Sequence, residues 1–151
     1  MLLWRISNHA SLDGEGGVIA SARWHFQGTP IVYLAETPAG SLLEVLVRLE
    51  LTAPDLPPNY KLLKIQAPDP ITPQMIEENT LPSGWRDDQR ITRKIGADWL
   101  ARGEAALARV PSAIVPETFN VLLNPLHRDA AKLEIVWHRS YPWDYRLLRR
   151  H

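Results

Sequence analysis

The apolar residues of this chain come in short runs, and prolines, glycines or turn formers end nearly all of them. Leu2-Leu3-Trp4-Arg5-Ile6, Ile31-Val32-Tyr33-Leu34-Ala35, Tyr60-Lys61-Leu62-Leu63-Lys64-Ile65 and Asn120-Val121-Leu122-Leu123 have strand length and the matching side chains, as does 133–139. Gly28-Thr29-Pro30 is a turn before the second run, and Asn124-Pro125 closes the fourth. Only two stretches hold a helical period. Residues 38–50 place Leu42, Leu46 and Leu49, with Leu43 alongside, on one face, behind a Thr37 N-cap and Pro38 at the first helical position. Residues 88–102 place Ile91, Ile95 and Trp99 on one face, with Gly103 after the end.

The rest reads as connection. Asp13-Gly14-Glu15-Gly16-Gly17 is a flexible loop, and not a phosphate loop, because no G-x-x-x-x-G-K-[ST] accompanies it. Residues 67–84 carry Pro68, Pro70, Pro73 and Pro82 and read as loop with a short helix over 74–78. Residues 111–116 form a further strand candidate between two prolines, and 127–131 a turn or one helical turn. No repeat and no long linker interrupts the chain. Short strands alternating with two helices predict an α+β fold, one domain over residues 1–151.

A hydrophobic share of 45% against 23% charged is enough for a folded core rather than disorder. Seventeen basic residues balance seventeen acidic ones, so no global field gathers nucleic acid or an anionic membrane. The local exception is the basic tail Arg146-Leu147-Leu148-Arg149-Arg150-His151. The absence of cysteine excludes disulfides, thiolate zinc sites and a cysteine nucleophile. The five histidines are scattered without a zinc spacing, and no G-x-S-x-G elbow is present. Met1-Leu2-Leu3-Trp4 is too short for the apolar core of a signal peptide, and no run reaches the length of a membrane span. The expectation is a cytoplasmic protein.

The segment between residues 23 and 44 holds the richest set of chemical groups: Arg23, His25, Tyr33 and Glu44. A guanidinium grips phosphate through paired N–H groups. An aromatic ring stacks on a planar base, more strongly if the base is cationic. A carboxylate stabilises a sugar carbon that develops positive charge. The same residues also have ordinary readings: surface packing for the arginine, core for the tyrosine, and a solvated glutamate off the helix's apolar stripe.

Several blocks in series resolve this choice. Ala22-Arg23-Trp24-His25, Ile31-Val32-Tyr33-Leu34-Ala35-Glu36-Thr37-Pro38 and Leu42-Leu43-Glu44-Val45 resemble the N-terminal signature of the RES domain family. Val110-Pro111-Ser112-Ala113-Ile114-Val115-Pro116, Asn120-Val121-Leu122-Leu123-Asn124-Pro125 and Trp143-Asp144-Tyr145-Arg146-Leu147 resemble its later blocks. The resemblance spans nearly the whole chain. It implies a fold similar to ADP-ribosyltransferase toxins, with short strands in two packed sheets and a few helices. It implies a toxin of a bacterial toxin–antitoxin pair, with an Xre-type helix-turn-helix antitoxin as partner, DNA reached only through that partner, and no membrane.

It also implies that NAD is the substrate, with no separate cofactor. The family's arginine falls on Arg23, its tyrosine on Tyr33, its glutamate on Glu44 and its serine on Ser112; Asn120 and His25 lie in matching blocks. On this reading Glu44 stabilises the sugar cation or holds a ribose hydroxyl. Tyr33 orients the nicotinamide, and Arg23 holds the pyrophosphate or adjacent ribose. Ser112, Asn120 and His25 are grouped as substrate-binding residues, the individual role of His25 being unassigned. The acceptor of the ADP-ribose stays open among water, inorganic phosphate and a protein. Phosphate would want a second cation, for which Arg48 and Arg90 are the candidates. Two other classes remain: a non-catalytic binding module in a regulator complex, and a nucleic-acid binder using the basic tail.

Overall fold

The computed structural model describes residues 1–49 and 58–147. Its strands are β1 (Leu2–Ser7), β2 (Val32–Ala35), β3 (Lys61–Gln66), β4 (Gln74–Met75), β5 (Leu107–Pro111), β6 (Phe119–Leu123) and β7 (Glu134–Ser140). They form one sheet in the order β4-β5-β6-β2-β1-β3-β7. All neighbours are antiparallel except β4 and β5, which run parallel. Three helices complete the fold among the described residues: α1 (Glu15–Ile19), α2 (Pro38–Leu49) and α3 (Gln89–Arg102). The class is α+β, as expected.

The expected pair of packed sheets is corrected to a single sheet. The join is narrow: β1 meets β2 at one residue pair, Trp4↔Ala35, whereas β2 pairs β6 along its whole length from Val32↔Leu123 to Ala35↔Asn120. The sheet thus has two well-paired halves, β4-β5-β6-β2 and β1-β3-β7, hinged on one backbone contact.

Strand alternation divides the core. Val32 and Leu34 of β2 pack with Leu3, Leu63, Leu107, Val121 and Leu123 on one side. Tyr33 turns to the other face, where Leu122, Ala108 and Val110 pack against Trp24, Trp85 and Trp99. A third cluster seats α2, with Val45 packed on Ile6 and Leu62 and flanked by Leu42 and Leu49. The buried centre of α2 is Ser41 and Val45, so the apolar stripe is rotated from the expected Leu42-Leu46-Leu49 line.

Both helix starts follow the sequence. The Thr37 hydroxyl accepts from the Gly40 N–H at 2.9 Å, directly before Pro38. Asp88 accepts from the Arg90 N–H at 3.0 Å, and Gly103, at φ 59°, closes α3. The expected extension of α2 to Glu50 lies outside the described residues, as does most of the basic tail.

Three local expectations change. Residues 15–19 form a helix rather than a flexible loop, because the segment packs flush on residues 29–31. A Cβ on Gly17 would stand 2.6 Å from the Thr29 carbonyl oxygen. The expected helix over 74–78 is the strand β4 followed by a 3-10 turn, Glu78–Thr80. So short a segment nucleates a helix poorly, and the open edge of β5 takes its backbone instead, with the Ile76 N–H donating to the Arg109 carbonyl at 2.9 Å. Lastly, the strand candidate over 111–116 ends at Pro111. The Ser112 hydroxyl accepts from the N–H groups of Ile114 and Val115 at 3.1 and 3.3 Å and turns the chain there.

Candidate active site

Glu44 projects from α2 across the hinge in the sheet, and its neighbours come from the other half. One oxygen, Oε1, accepts from the Ser112 hydroxyl at 2.8 Å and from the Asn120 amide at 2.8 Å. Ser112 follows β5 and Asn120 lies in β6, where it pairs with Ala35 and Val110. Ser112 is buried to 2% exposure, and its hydroxyl both donates to Glu44 and accepts from the turn that follows. Two donors on one oxygen fix the carboxylate's orientation. Among the described residues, no partner is recorded for the other oxygen, Oε2.

Tyr33 stands on β2, on the same face of the sheet. Its hydroxyl accepts from the Trp24 N–H at 3.0 Å and lies 2.7 Å from His25 Nδ1. His25 Nε2 faces two carbonyls, Ala20 at 2.8 Å and Gly17 at 3.1 Å, so Nε2 carries the proton and the Tyr33 hydroxyl donates to Nδ1. Burial pushes the Tyr33 phenol above its usual range and the His25 imidazole below its own. Both groups are therefore neutral near pH 7. His25 is 2% exposed with both ring nitrogens engaged. It holds the Tyr33 hydroxyl from the side of the Ala20 and Gly17 carbonyls.

Arg23 is half-buried at the end of this cluster and donates to the Trp85 carbonyl at 3.3 Å. Desolvation lowers its pKa, opposed by attraction to the Glu44 carboxylate and reinforced by repulsion from Arg86 and Arg93. The residue is held by α3. The Thr92 hydroxyl donates to the Arg23 carbonyl at 2.5 Å and Arg93 Nε to the Ala22 carbonyl at 2.7 Å. A Cβ on Gly96 would stand 1.7 Å from the Trp24 carbonyl oxygen, so α3 lies flush on this segment.

The structure thus gathers the sequence candidates. Glu44, Ser112 and Asn120 form one hydrogen-bonded cluster, Tyr33 and His25 another, and Arg23 feels the field of Glu44. Arg86, Thr92, Arg93 and Gly96 were missed, because they join the site through backbone carbonyls distant in sequence. Arg90, a candidate second cation, is exposed and clamped by Asp88 at 3.0 Å. Among the described residues no group of three or more His, Asp or Glu side chains could hold a metal ion.

Glu44 on α2, Tyr33 on β2 and the half-buried Arg23 before it are the sequence candidates carried by the first half of the chain, and Ser112 and Asn120 join Glu44 from the second. Residues 2–144 match the RES domain, so the chain belongs to the RES domain family. It is 44% identical over 135 residues to "Toxin Res" of Pseudomonas putida, covering 89% of this chain and 92% of that protein. It is 34% identical over 157 residues to the "Prs ADP-ribosylating toxin" of a Sphingobium species, covering 97% and 96%. A chain from the crystal structure of the M. tuberculosis MbcT–MbcA toxin–antitoxin complex shares the fold at a TM-score of 0.74 and 16% identity, covering 93% of this chain and 83% of that one. The chain is a RES toxin.

Proposed function

We propose that this toxin cleaves the nicotinamide–ribose bond of NAD and arrests growth by consuming it. The observation that carries the reading is the Glu44 carboxylate, held by Ser112 and Asn120 on one oxygen and within the electrostatic reach of Arg23. Nicotinamide leaves NAD as a neutral molecule, so its departure needs no acid. What develops is positive charge on the ribose carbon, as in glycoside cleavage. A pre-oriented carboxylate lowers the energy of that charge without reorganising. Glu44 takes this role through its outward oxygen. Tyr33, whose hydroxyl is engaged by His25 and Trp24, offers its ring to the nicotinamide, and Arg23 holds the phosphates.

The acceptor is water or inorganic phosphate. The second reading, transfer of ADP-ribose to a protein, is favoured by the name of the Sphingobium relative. An antitoxin of the Xre helix-turn-helix type is the proposed partner, in line with the complex that contains the M. tuberculosis structural neighbour. Contact with DNA would run through that antitoxin, and the toxin would act in the cytoplasm, where NAD is found. No helix among the described residues is long and apolar enough to cross a membrane.

Purified protein should release nicotinamide from NAD. Glu44→Gln and Arg23→Ala should each lower kcat/KM about 100-fold or more while melting as the wild type does. Two folded variants that cleave NAD at the wild-type rate would remove the assignment. Product analysis with and without phosphate separates hydrolysis from phosphorolysis, and labelled NAD with cell extract detects protein modification.

A further inference from the structure

Asn120 is the middle of a row of paired residues that runs from Val110 on β5 through β6 to Ala35 on β2. The sequence neighbours of these three, Arg109, Phe119 and Glu36, form a cluster of their own. Arg109 Nε and Nη2 donate to the two carboxylate oxygens of Glu36, the second at 3.3 Å. The same guanidinium lies over the Phe119 ring, its central carbon 3.6 Å from the centroid. Side chains alternate along a strand, so Arg109 and Phe119 stand on the face of the sheet opposite Asn120 and Tyr33.

The cluster sits where the strands end. Pro111 is the last residue of β5, Phe119 is the first of β6, and the two pair with each other. Ser112 lies one residue beyond that pair and Asn120 one residue inside it. A further backbone bond, from the Ser112 N–H to the Thr118 carbonyl at 3.0 Å, continues the ladder. Glu36 follows the end of β2 and precedes Thr37, the cap of α2. Strand ends open more readily than strand centres. A two-pronged guanidinium–carboxylate pair fixes its partners in one plane, and an aromatic ring beneath it adds to the hold. The pair is 30% and 35% exposed, less than the surface pairs Arg90–Asp88 and Arg102–Asp98, so it is screened less by solvent.

We propose that Arg109, clamped between Glu36 and Phe119 on the back of the sheet, is a positioning residue that keeps Ser112, Asn120 and the start of α2 in the register at which two donors meet one oxygen of Glu44. It acts through the strand ends and touches no substrate. Its effect on rate rests on the proposed NAD cleavage; its effect on the strand ends does not.

Arg109→Met keeps the stem over Phe119 and removes the charge, and Glu36→Gln removes the other partner. Assayed well below their melting temperatures, both should lower kcat for nicotinamide release at least tenfold, with KM for NAD within about twofold. The double variant should lose no more than either single one, since both break the same clamp. Arg109→Lys, which keeps the charge without the two-pronged bond, should recover part of the loss, and it carries the test if the other variants do not fold. Amide hydrogen exchange needs no turnover. The Ser112 N–H should exchange at least tenfold faster in the variants, while N–H groups at the centre of β3 exchange as in the wild type. Unchanged Ser112 exchange in a folded variant would overturn the proposal. So would faster exchange across the whole sheet with kcat preserved, which would make the pair a stabiliser of the fold alone. A raised KM with unchanged kcat would place Arg109 at the substrate and overturn it as well. If the wild type releases no nicotinamide yet Ser112 exchange quickens in the variants, the positioning role stands and the proposed reaction falls.

Discussion

The Tyr33 hydroxyl has one proton and uses it on His25 Nδ1, while it accepts the Trp24 N–H. It has no proton left for a substrate, so the side chain acts by shape and stacking. The arrangement requires a neutral imidazole, because a protonated Nδ1 has no lone pair with which to accept the Tyr33 proton. Desolvation keeps His25 below its ordinary value of 6.5, helped by Arg93 and opposed by the carbonyls of Ala20 and Gly17. The sign follows. Below pH 6.5 the unfolded chain binds a proton at this position and the folded one does not, so stability falls as the pH drops toward the folded-state value. One such proton gives a slope of at most about 1.4 kcal/mol per pH unit. His25→Gln lacks this proton, so its urea midpoint should fall less than the wild type's between pH 7 and pH 5. Parallel profiles would show that His25 is not held neutral. At this scale Arg23, Tyr33, Glu44, Ser112 and Asn120 were legible through the family blocks. The role of His25 was not, since the sequence shows the imidazole without the two carbonyls that fix its tautomer. Arg86 and Arg93 were invisible because their partners are carbonyls, which every residue has, at separations of 27 and 71 residues.

Among the elements, α3 brings no group to the Glu44 cluster, yet it braces Arg23. Thr92 is fully buried on the Arg23 carbonyl, and Gly96 lets the helix backbone touch Trp24. Alanine is a better helix former than glycine by about 1 kcal/mol, so an exposed helix would gain from Gly96→Ala. Here the new methyl group would meet the Trp24 carbonyl, and the helix must shift. Gly96→Ala should destabilise by roughly 1–3 kcal/mol or more and lower activity as Arg23 moves. Gly16→Ala is the control: no atom lies within 4 Å of its Cβ position, so that variant should melt at or above the wild type. Thermal unfolding of both decides the point, and a neutral Gly96→Ala would refute the flush packing. Caps and apolar period made α2 and α3 readable from the sequence, because those signals are local. What misread were α1, β4 and the turn after Pro111. The first two are set by distant partners, residues 29–31 for α1 and the open edge of β5 for β4, while the turn after Pro111 is made locally by the Ser112 hydroxyl, which Glu44 also engages.

Across the whole molecule, the site straddles the hinge between the two halves of the sheet. Asn120 and the residue after β5, Ser112, belong to one half, while α2, which carries Glu44, is seated by Val45 on Ile6 and Leu62 of the other. Backbone pairing across the hinge is one residue long, so the hydrogen bonds to Glu44 are themselves part of what holds the halves in register. A misplacement of about 1 Å at a reacting group can cost two orders of magnitude in rate. Side chains that seat α2 should therefore control turnover without touching substrate. Val45 is 4% exposed and Leu133, in the core cluster on the other face of the sheet, 7%. Leu133→Ala removes more buried surface and should destabilise by about 2–5 kcal/mol. Val45→Ala should destabilise less, about 1–3 kcal/mol by area. If the halves were one rigid body, kcat measured well below either melting temperature would be preserved in both. The hinged geometry predicts otherwise: Val45→Ala should lower kcat about tenfold or more while the less stable Leu133→Ala keeps it within about twofold. The opposite ranking would show that Glu44 is positioned by the fold as a whole and not by the seat of its helix.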